Sequence, residues 1–205
     1  MSLVDMRVSD LLAAIRSPNP TPGGGSAAAL TGAIGASLLA MVAAMPSRRA
    51  ATEEDVERLQ TAAARCTELS EHLATLVDRD SAAYDQVVAA YRLPKATDAE
   101  KVERTQAVQQ ALTAAVEAPL AVMRRSSEAI ETAPVIAGFG NPNAASDVGV
   151  ALELLIAASR GARLNIDINL GSVKDAAYVS RVKEEAATLD AECVSGANAA
   201  RARFG

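Results

Sequence analysis

Apolar residues recur along this chain at helical spacing, in segments parted by short polar or Gly/Pro-bearing breaks. Val4, Val8, Leu11, Leu12 and Ile15 predict a short amphipathic helix over residues 2–16, and Ser17-Pro18-Asn19-Pro20-Thr21-Pro22 ends it by forcing an extended path. From Ser17 to Ser47 the chain carries no charged residue. Inside that window Pro22-Gly23-Gly24-Gly25-Ser26 leads into an Ala-, Leu- and Met-rich run that predicts a helix to Met45, with Ser26 as its cap. Leu30, Ile34, Leu38, Met41 and Met45 form a bulky stripe on this helix, and Ala28, Gly32, Ala36, Ala40 and Ala44 a smooth one. A helix apolar all round is buried in protein or in lipid. Its length of about 20 residues would span a bilayer. Small residues predominate and no aromatic belt flanks it, so the pattern predicts the central helix of a soluble bundle, with another helix backbone on its smooth face.

Pro46 stops this helix, and Thr52 with Asp55 predicts a capping-box start for a long one. No Gly or Pro interrupts residues 50–93, which allows a helix of roughly 55–60 Å. Its seam, Val56, Leu59, Ala63, Cys66, Ser70, Leu73, Val77, Asp80, Tyr84, Val87 and Tyr91, alternates by three and four as in a coiled coil. Leu93-Pro94-Lys95 is a break, after which Thr97 and Glu100 repeat the capping signal. The helix that follows is predicted to kink at Pro119 and to run toward Glu131, then to loosen through Pro134 and Gly138-Phe139-Gly140-Asn141-Pro142-Asn143. Ser146 or Asp147 starts a second very apolar helix reaching about Leu170. Residues 164–170 alternate as a strand would, but segment length and the lack of another clear strand favour helix. Ser172 and Asp175 can cap a last helix, whose narrow stripe of Val179, Val182, Ala186, Leu189 and Cys193 suits packing along a long partner. The predicted fold class is all-α: an antiparallel helical bundle with long helices and two very apolar central ones, in a single domain over residues 1–205.

Composition narrows the function classes. With 20 basic and 25 acidic residues, a net charge of −5 and 2% aromatic residues, the chain offers nucleic acid neither a basic stripe nor stacking platforms. Asp5, Arg7 and Asp10 interrupt any export-type apolar region. Cys66 and Cys193 fall in helical patterns, as reduced, buried thiols of a cytoplasmic protein do. His72 stands alone in a charged stretch, so no metal site is predicted.

Three places hold candidate chemistry. Asp80 is the one charged member of the apolar seam, and a buried carboxylate needs a salt bridge, a helix to cap, a raised pKa or a ligand. Gly23, Gly24 and Gly25, freeing the backbone, form a tight turn or a close backbone contact or, with Ser26, an anion cradle of unpaired amides at a helix start. Asp147, Val150, Leu154, Ala158, Gly161, Asn165 and Asn169 share one helix face, with a carboxylate at one end and amides at the other. These amides serve either helix–helix hydrogen bonds or a ligand, and Asn141 and Asn143 either a turn or a ligand.

Residues 22–45, Asp80 to Tyr84 with Leu93-Pro94-Lys95, residues 104–120, and Gly140-Asn141 through Ser146-Asp147 to Leu170 together resemble one family. It comprises the C-terminal domain of formiminotransferase-cyclodeaminases and the stand-alone bacterial methenyltetrahydrofolate cyclohydrolases. Where members carry a Thr/Gly and basic segment after the central helix, this chain has Pro46-Ser47-Arg48-Arg49. The resemblance implies a homodimeric helical fold acting on one-carbon tetrahydrofolates. Two reactions are implied: hydrolysis of methenyltetrahydrofolate to 10-formyltetrahydrofolate, or closure of formiminotetrahydrofolate to the methenyl form with loss of ammonia. It further implies Asp80 as the catalytic group and folate contacts from Gly23, Gly24, Gly25, Ser26, Asn141, Asn143, Asp147, Asn165 and Asn169. Lys95, with Arg48 and Arg49, would meet the glutamate tail, and no metal or redox cofactor is required. The lack of a fused formiminotransferase domain in this sequence favours the cyclohydrolase. Two readings of other classes stand beside it: a helical scaffold in which Asp80 sets register, and a membrane-anchored protein.

Overall fold

The computed structural model describes residues 2–204, which form six α-helices and no strand. They are α1 (Val8–Arg16), α2 (Gly24–Ala44), α3 (Glu53–Tyr91), α4 (Asp98–Phe139), α5 (Ala145–Leu170) and α6 (Ala176–Arg201). Short 3-10 turns occur at Leu3–Asp5 and Pro142–Ala144. The predicted first helix is therefore divided: Asp78 on α3 accepts hydrogen bonds from the Ser2 hydroxyl and the Leu3 amide, at 2.5 and 2.7 Å, and holds the turn apart from α1.

Both long helices start where the capping signals lie. Thr52 Oγ1 accepts from the Asp55 amide at 3.1 Å while the Asp55 carboxylate accepts from the Thr52 amide at 3.2 Å. Thr97 and Glu100 repeat the exchange at 3.2 and 2.8 Å. Each box contributes about 1 kcal/mol by satisfying amides that the helix leaves open. The 39 residues of α3 run about 58 Å. By contrast, α4 does not loosen after Glu131: its 42 residues continue through Pro119 and Pro134 to Phe139. A proline inside a helix costs about 3 kcal/mol. Here the full burial of Ala133 and near-full burial of Ile130 and Ile136 on the same turns offset it. Neither Ser146 nor Asp147 caps α5, which begins at Ala145 directly from the 3-10 turn. Asp175 does cap α6, accepting from the Tyr178 amide at 3.0 Å.

α2 lies between α3 and α5 and runs antiparallel to both. Gly32 faces Leu73 and Ala158, and farther along Gly35 faces Ala151 and Leu155. A Cβ at Gly35 would stand 2.8 Å from Leu155 Cγ and 3.0 Å from the Ala151 carbonyl oxygen, so the α5 backbone approaches where only glycine leaves room. The small residues Ala28, Ala29, Gly32, Ala33 and Ala36 form the buried side of α2, as its smooth stripe predicts, although Ala40 and Ala44 lie more open. Its bulky stripe faces the other way: Ile34 and Met41 are 47% and 45% exposed, and with Leu12 of α1 they border an apolar groove between α1 and α2. By length and composition α2 could cross a bilayer, yet half of that window is buried inside the protein.

α4 closes the other side against α3 and α5, and α6 covers α4 through Arg124–Glu185 at 2.5 Å and Ser127–Glu192 at 3.3 Å. Because α5 returns between them, α4 and α6 run parallel, while helices consecutive in the chain from α2 onward pack antiparallel. The buried line of α3 is Leu59, Ala62, Cys66, Leu69, Leu73, Leu76 and Val77, one residue off the predicted seam at Ala63 and Ser70. Beyond Asp80 the seam opens, and Tyr84 and Tyr91 are exposed. α2 begins opposite Asp80, so it covers nothing farther along α3.

Candidate active site

The hollow left beyond the start of α2 is walled by α3, α4 and α5. It is a cavity of about 230 Å³ lined by Pro20, Thr21, Gly23, Gly24, Gly25, Asp80, Ala83, Tyr84, Val87, Ala115, Asn165 and Asn169. The approach segment to it carries a cis peptide bond between Thr21 and Pro22.

Glycine is needed here for space rather than for unusual torsions. No glycine among the described residues has a positive φ, and Gly23, the residue before the helix, is extended at φ −118° and ψ −154°. At Gly25, however, a Cβ would fall 2.0 Å from Oδ1 and 2.5 Å from Cγ of Asp80. The absence of that Cβ lets the carboxylate lie against the first turn of α2. Ala27 donates the first backbone bond of this helix, to the Gly23 carbonyl at 3.0 Å, so the amides of Gly24, Gly25 and Ser26 have no partner within it. The carboxylate thus meets the positive end of a 21-residue helix, whose partial charge favours an anion.

Ser26 is not the cap that its sequence position suggests. It is the third residue of α2, is 2% exposed, and its Oγ lies 2.9 Å from the Val77 carbonyl oxygen, 3.1 Å from Asp80 Oδ2 and 3.1 Å from Ser81 Oγ. It therefore holds Asp80 and does not line the cavity. Burial raises the Asp80 carboxyl above its ordinary value, and hydrogen bonds from the Ser26 side chain and backbone draw it partly back. No salt bridge engages Asp80 among the described residues.

From α5, Asn165 and Asn169 reach the same cavity one turn apart. Asn165 Nδ2 donates to the Gly161 carbonyl at 2.9 Å and Asn169 Nδ2 to the Ala115 carbonyl at 3.0 Å. Each amide oxygen is left as an acceptor. The site therefore presents two neutral acceptors and a carboxylate, beside the amides of an open helix end. Its lining contains no Lys or Arg.

Other candidates lie elsewhere. Asn141 Nδ2 donates to the Pro46 carbonyl at 2.9 Å, and its Oδ1 accepts from the Asn143 amide at 3.0 Å. Together with Asp147 in the first turn of α5, they sit at the end of the bundle where α2 finishes, about 30 Å from where it starts. Within one chain they are turn residues, not part of the cavity. Lys95 is exposed on the α3–α4 connection and does not line it. Ala83 and Val87 follow Asp80 on the same α3 face, so helical spacing could have found them. Ala115 and Thr21 carried no such signal. Cys66 and Cys193 are buried and unpaired with each other, and among the described residues no group of three His, Cys, Asp or Glu side chains is placed to hold a metal ion.

Comparison with known proteins bears on the same chain. The methenyltetrahydrofolate cyclohydrolase of Methylorubrum extorquens is 38% identical over 178 residues, which cover 86% of each protein. Formimidoyltransferase-cyclodeaminases of Gallus gallus and Sus scrofa are 31% and 32% identical over 90% and 92% of this chain, which spans 35% of their length. A crystal structure of formiminotetrahydrofolate cyclodeaminase from Thermotoga maritima shares the fold, with a TM-score of 0.86 over 98% of this chain and 96% of that one at 24% identity. The sequence profile of the formiminotransferase-cyclodeaminase family matches residues 7–188, and with that span added to these relatives the chain belongs to this family.

Proposed function

We propose that this protein hydrolyses 5,10-methenyltetrahydrofolate to 10-formyltetrahydrofolate, with Asp80 as its acid–base group. The observation that carries the reading is the 38% identity, over 86% of both chains, with a protein of that activity. The cavity suits it. At about 230 Å³ it is smaller than the roughly 300–1,000 Å³ that buries a drug-sized ligand, so it takes one ring end of a folate and leaves the remainder outside. The oxygens of Asn165 and Asn169 are acceptors for the N–H-rich edge of a pterin.

Water attacks the bridging carbon between N5 and N10, which is cationic in the substrate. Asp80 accepts one proton from that water as the C–O bond forms, giving a tetrahedral carbon. The acid then returns the proton to N5 as the C–N5 bond breaks, and the hydroxyl proton leaves to solvent as the formyl C=O forms on N10. The carbon keeps its oxidation state throughout, so a redox cofactor has no part, and acid–base chemistry suffices without a metal. A carboxylate in a recess also opposes the positive charge of the bridging carbon at short range.

The second reading is formiminotetrahydrofolate cyclodeamination, favoured by the relatives of 30–32% identity that carry that name. There N10 attacks the formimino carbon and its proton passes to the formimino nitrogen, and protonated Asp80 gives that nitrogen a second proton as the C–N bond breaks, so that ammonia leaves and the methenyl cation remains. Under either reading the protein acts as a soluble, cytoplasmic homodimer, with the exposed Ile34 and Met41 stripe of α2 inside the subunit contact. Paired spectroscopic assays separate the reactions, one following loss of methenyltetrahydrofolate and the other its formation from formiminotetrahydrofolate with release of ammonia. The proposal expects turnover in the first. Turnover only in the second would replace it, and unchanged turnover by Asp80→Asn would remove Asp80 from its role.

A further inference from the structure

The Ser26 hydroxyl is buried among three polar atoms but has one proton to donate. The Val77 carbonyl oxygen lies at 2.9 Å, Asp80 Oδ2 at 3.1 Å and Ser81 Oγ at 3.1 Å. These distances permit two complete bonding patterns. With Asp80 ionised, Ser26 donates to Oδ2 and Ser81 donates to Ser26. With Asp80 protonated, its O–H donates to Ser26 Oγ and the Ser26 proton turns to the Val77 carbonyl. That carbonyl belongs to the interior of α3 and has a second lone pair beside its own helix bond.

We propose that Ser26 is the positioning residue of Asp80, a rotating hydroxyl whose proton moves between Asp80 Oδ2 and the Val77 carbonyl as Asp80 gains and loses its proton. No heavy atom moves between the two patterns, so Asp80 keeps one position in both protonation states, and the Ser26 proton turns back to Oδ2 as Asp80 gives up its own. The role follows from the proton count at Ser26, which is itself 2% exposed. It rests on the reading of Asp80 as the acid–base group.

The surroundings isolate this device. From α2 the groups beside Asp80 are Gly25 and Ser26; from α4 Ala115 lines the cavity; from α5 the amides of Asn165 and Asn169 do; and from α3 itself come Ser81 and Tyr84. Tyr84 is the one other titratable side chain in the lining, and no cation or second carboxylate belongs to it. Removing the Ser26 hydroxyl therefore changes the hydrogen bonding of Asp80 without disturbing a charge pair.

The test titrates Asp80 directly in the free protein. Carboxyl-13C-aspartate labelling, with Asp80→Asn to assign the signal, gives the Asp80 midpoint by NMR for the unaltered protein, Ser26→Ala and Ser81→Ala. Loss of the donor should raise the midpoint in Ser26→Ala by about one pH unit, and by less in Ser81→Ala. The acidic limb of kcat/KM should move by the same amount. An unmoved midpoint in folded Ser26→Ala overturns the proposal. If Ser26→Ala does not fold, Ser81→Ala decides by the same criterion, since it removes the donor that completes the ionised pattern. The NMR titration requires no substrate, so failure to turn over a folate would refute the proposed activity and leave the titration result standing.

Discussion

Replacing Gly25 with alanine tests whether the shape of the α2 start, rather than its flexibility, sets the catalytic geometry. The new Cβ would lie 2.0 Å from Asp80 Oδ1, where ordinary contact begins near 3.4 Å, so the carboxylate must retreat by about 1.4 Å. The cavity on its open side gives it somewhere to go. A displacement of about 1 Å in a reacting group costs on the order of 100-fold in rate, and we expect kcat to fall by at least that much. Stability should fall by no more than about 2.5 kcal/mol, because alanine gains about 0.5–1 kcal/mol over glycine in a helix while the crowding costs about 1–3 kcal/mol. Gly23→Ala is the control: its Cβ would meet only the Pro20 carbonyl oxygen, at 3.4 Å. Both variants should be measured by loss of methenyl absorbance and by thermal melts monitored at a helical CD band. If Gly25→Ala keeps kcat within threefold of the unaltered protein, or Gly23→Ala loses as much as Gly25→Ala, the steric argument is refuted.

Asp80→Asn should melt at a higher temperature than the unaltered protein at neutral pH. Burial raises the Asp80 carboxyl above its unfolded value, so ionising it on the way up in pH withdraws stability that is fully present below the unfolded pKa. The advantage of the Asn variant should therefore vanish in melts at pH about 3, and an equal advantage there would contradict the assignment. Asn169→Leu removes an acceptor and frees the Ala115 carbonyl; KM should rise about tenfold with kcat changed less, as steady-state kinetics would show. Ile34→Glu places charge on the exposed α2 stripe and should shift sedimentation toward a monomer, whereas an unchanged sedimentation coefficient would exclude that stripe from the subunit contact.

The sequence was most informative where one residue type has one local use. Thr52 with Asp55 and Thr97 with Glu100 mark helix starts because their side chains satisfy amides three residues away, and both boxes form. Asp80 was legible because a carboxylate written into an apolar seam needs a reason, which the start of α2 supplies. Pattern was less informative where the outcome depends on neighbours distant in sequence. Pro134 reads as a break, but burial of Ile130 and Ala133 carries α4 through it. Asp147, Asn165 and Asn169 share one helix face by spacing, yet helical spacing says nothing about which end of a helix meets a site. α5 spans about 39 Å, and only its C-terminal turns reach the cavity. A glycine run signals a turn or a close contact but does not name the partner: Gly25 is required by the proximity of Asp80, a contact made across 55 residues that no local pattern encodes.

The residues that line the cavity belong mainly to helices rather than to a lid: Asp80 is eleven residues inside the C-terminal end of α3, and Asn165 lies within α5. Loops open locally at little cost, but the amides of a packed helix exchange with solvent only when a large part of the structure opens. The backbone around Asp80 should accordingly be among the slowest-exchanging in the protein. Catalysis and tertiary structure should then disappear in one transition on heating, with the inactivation curve superimposed on the unfolding curve.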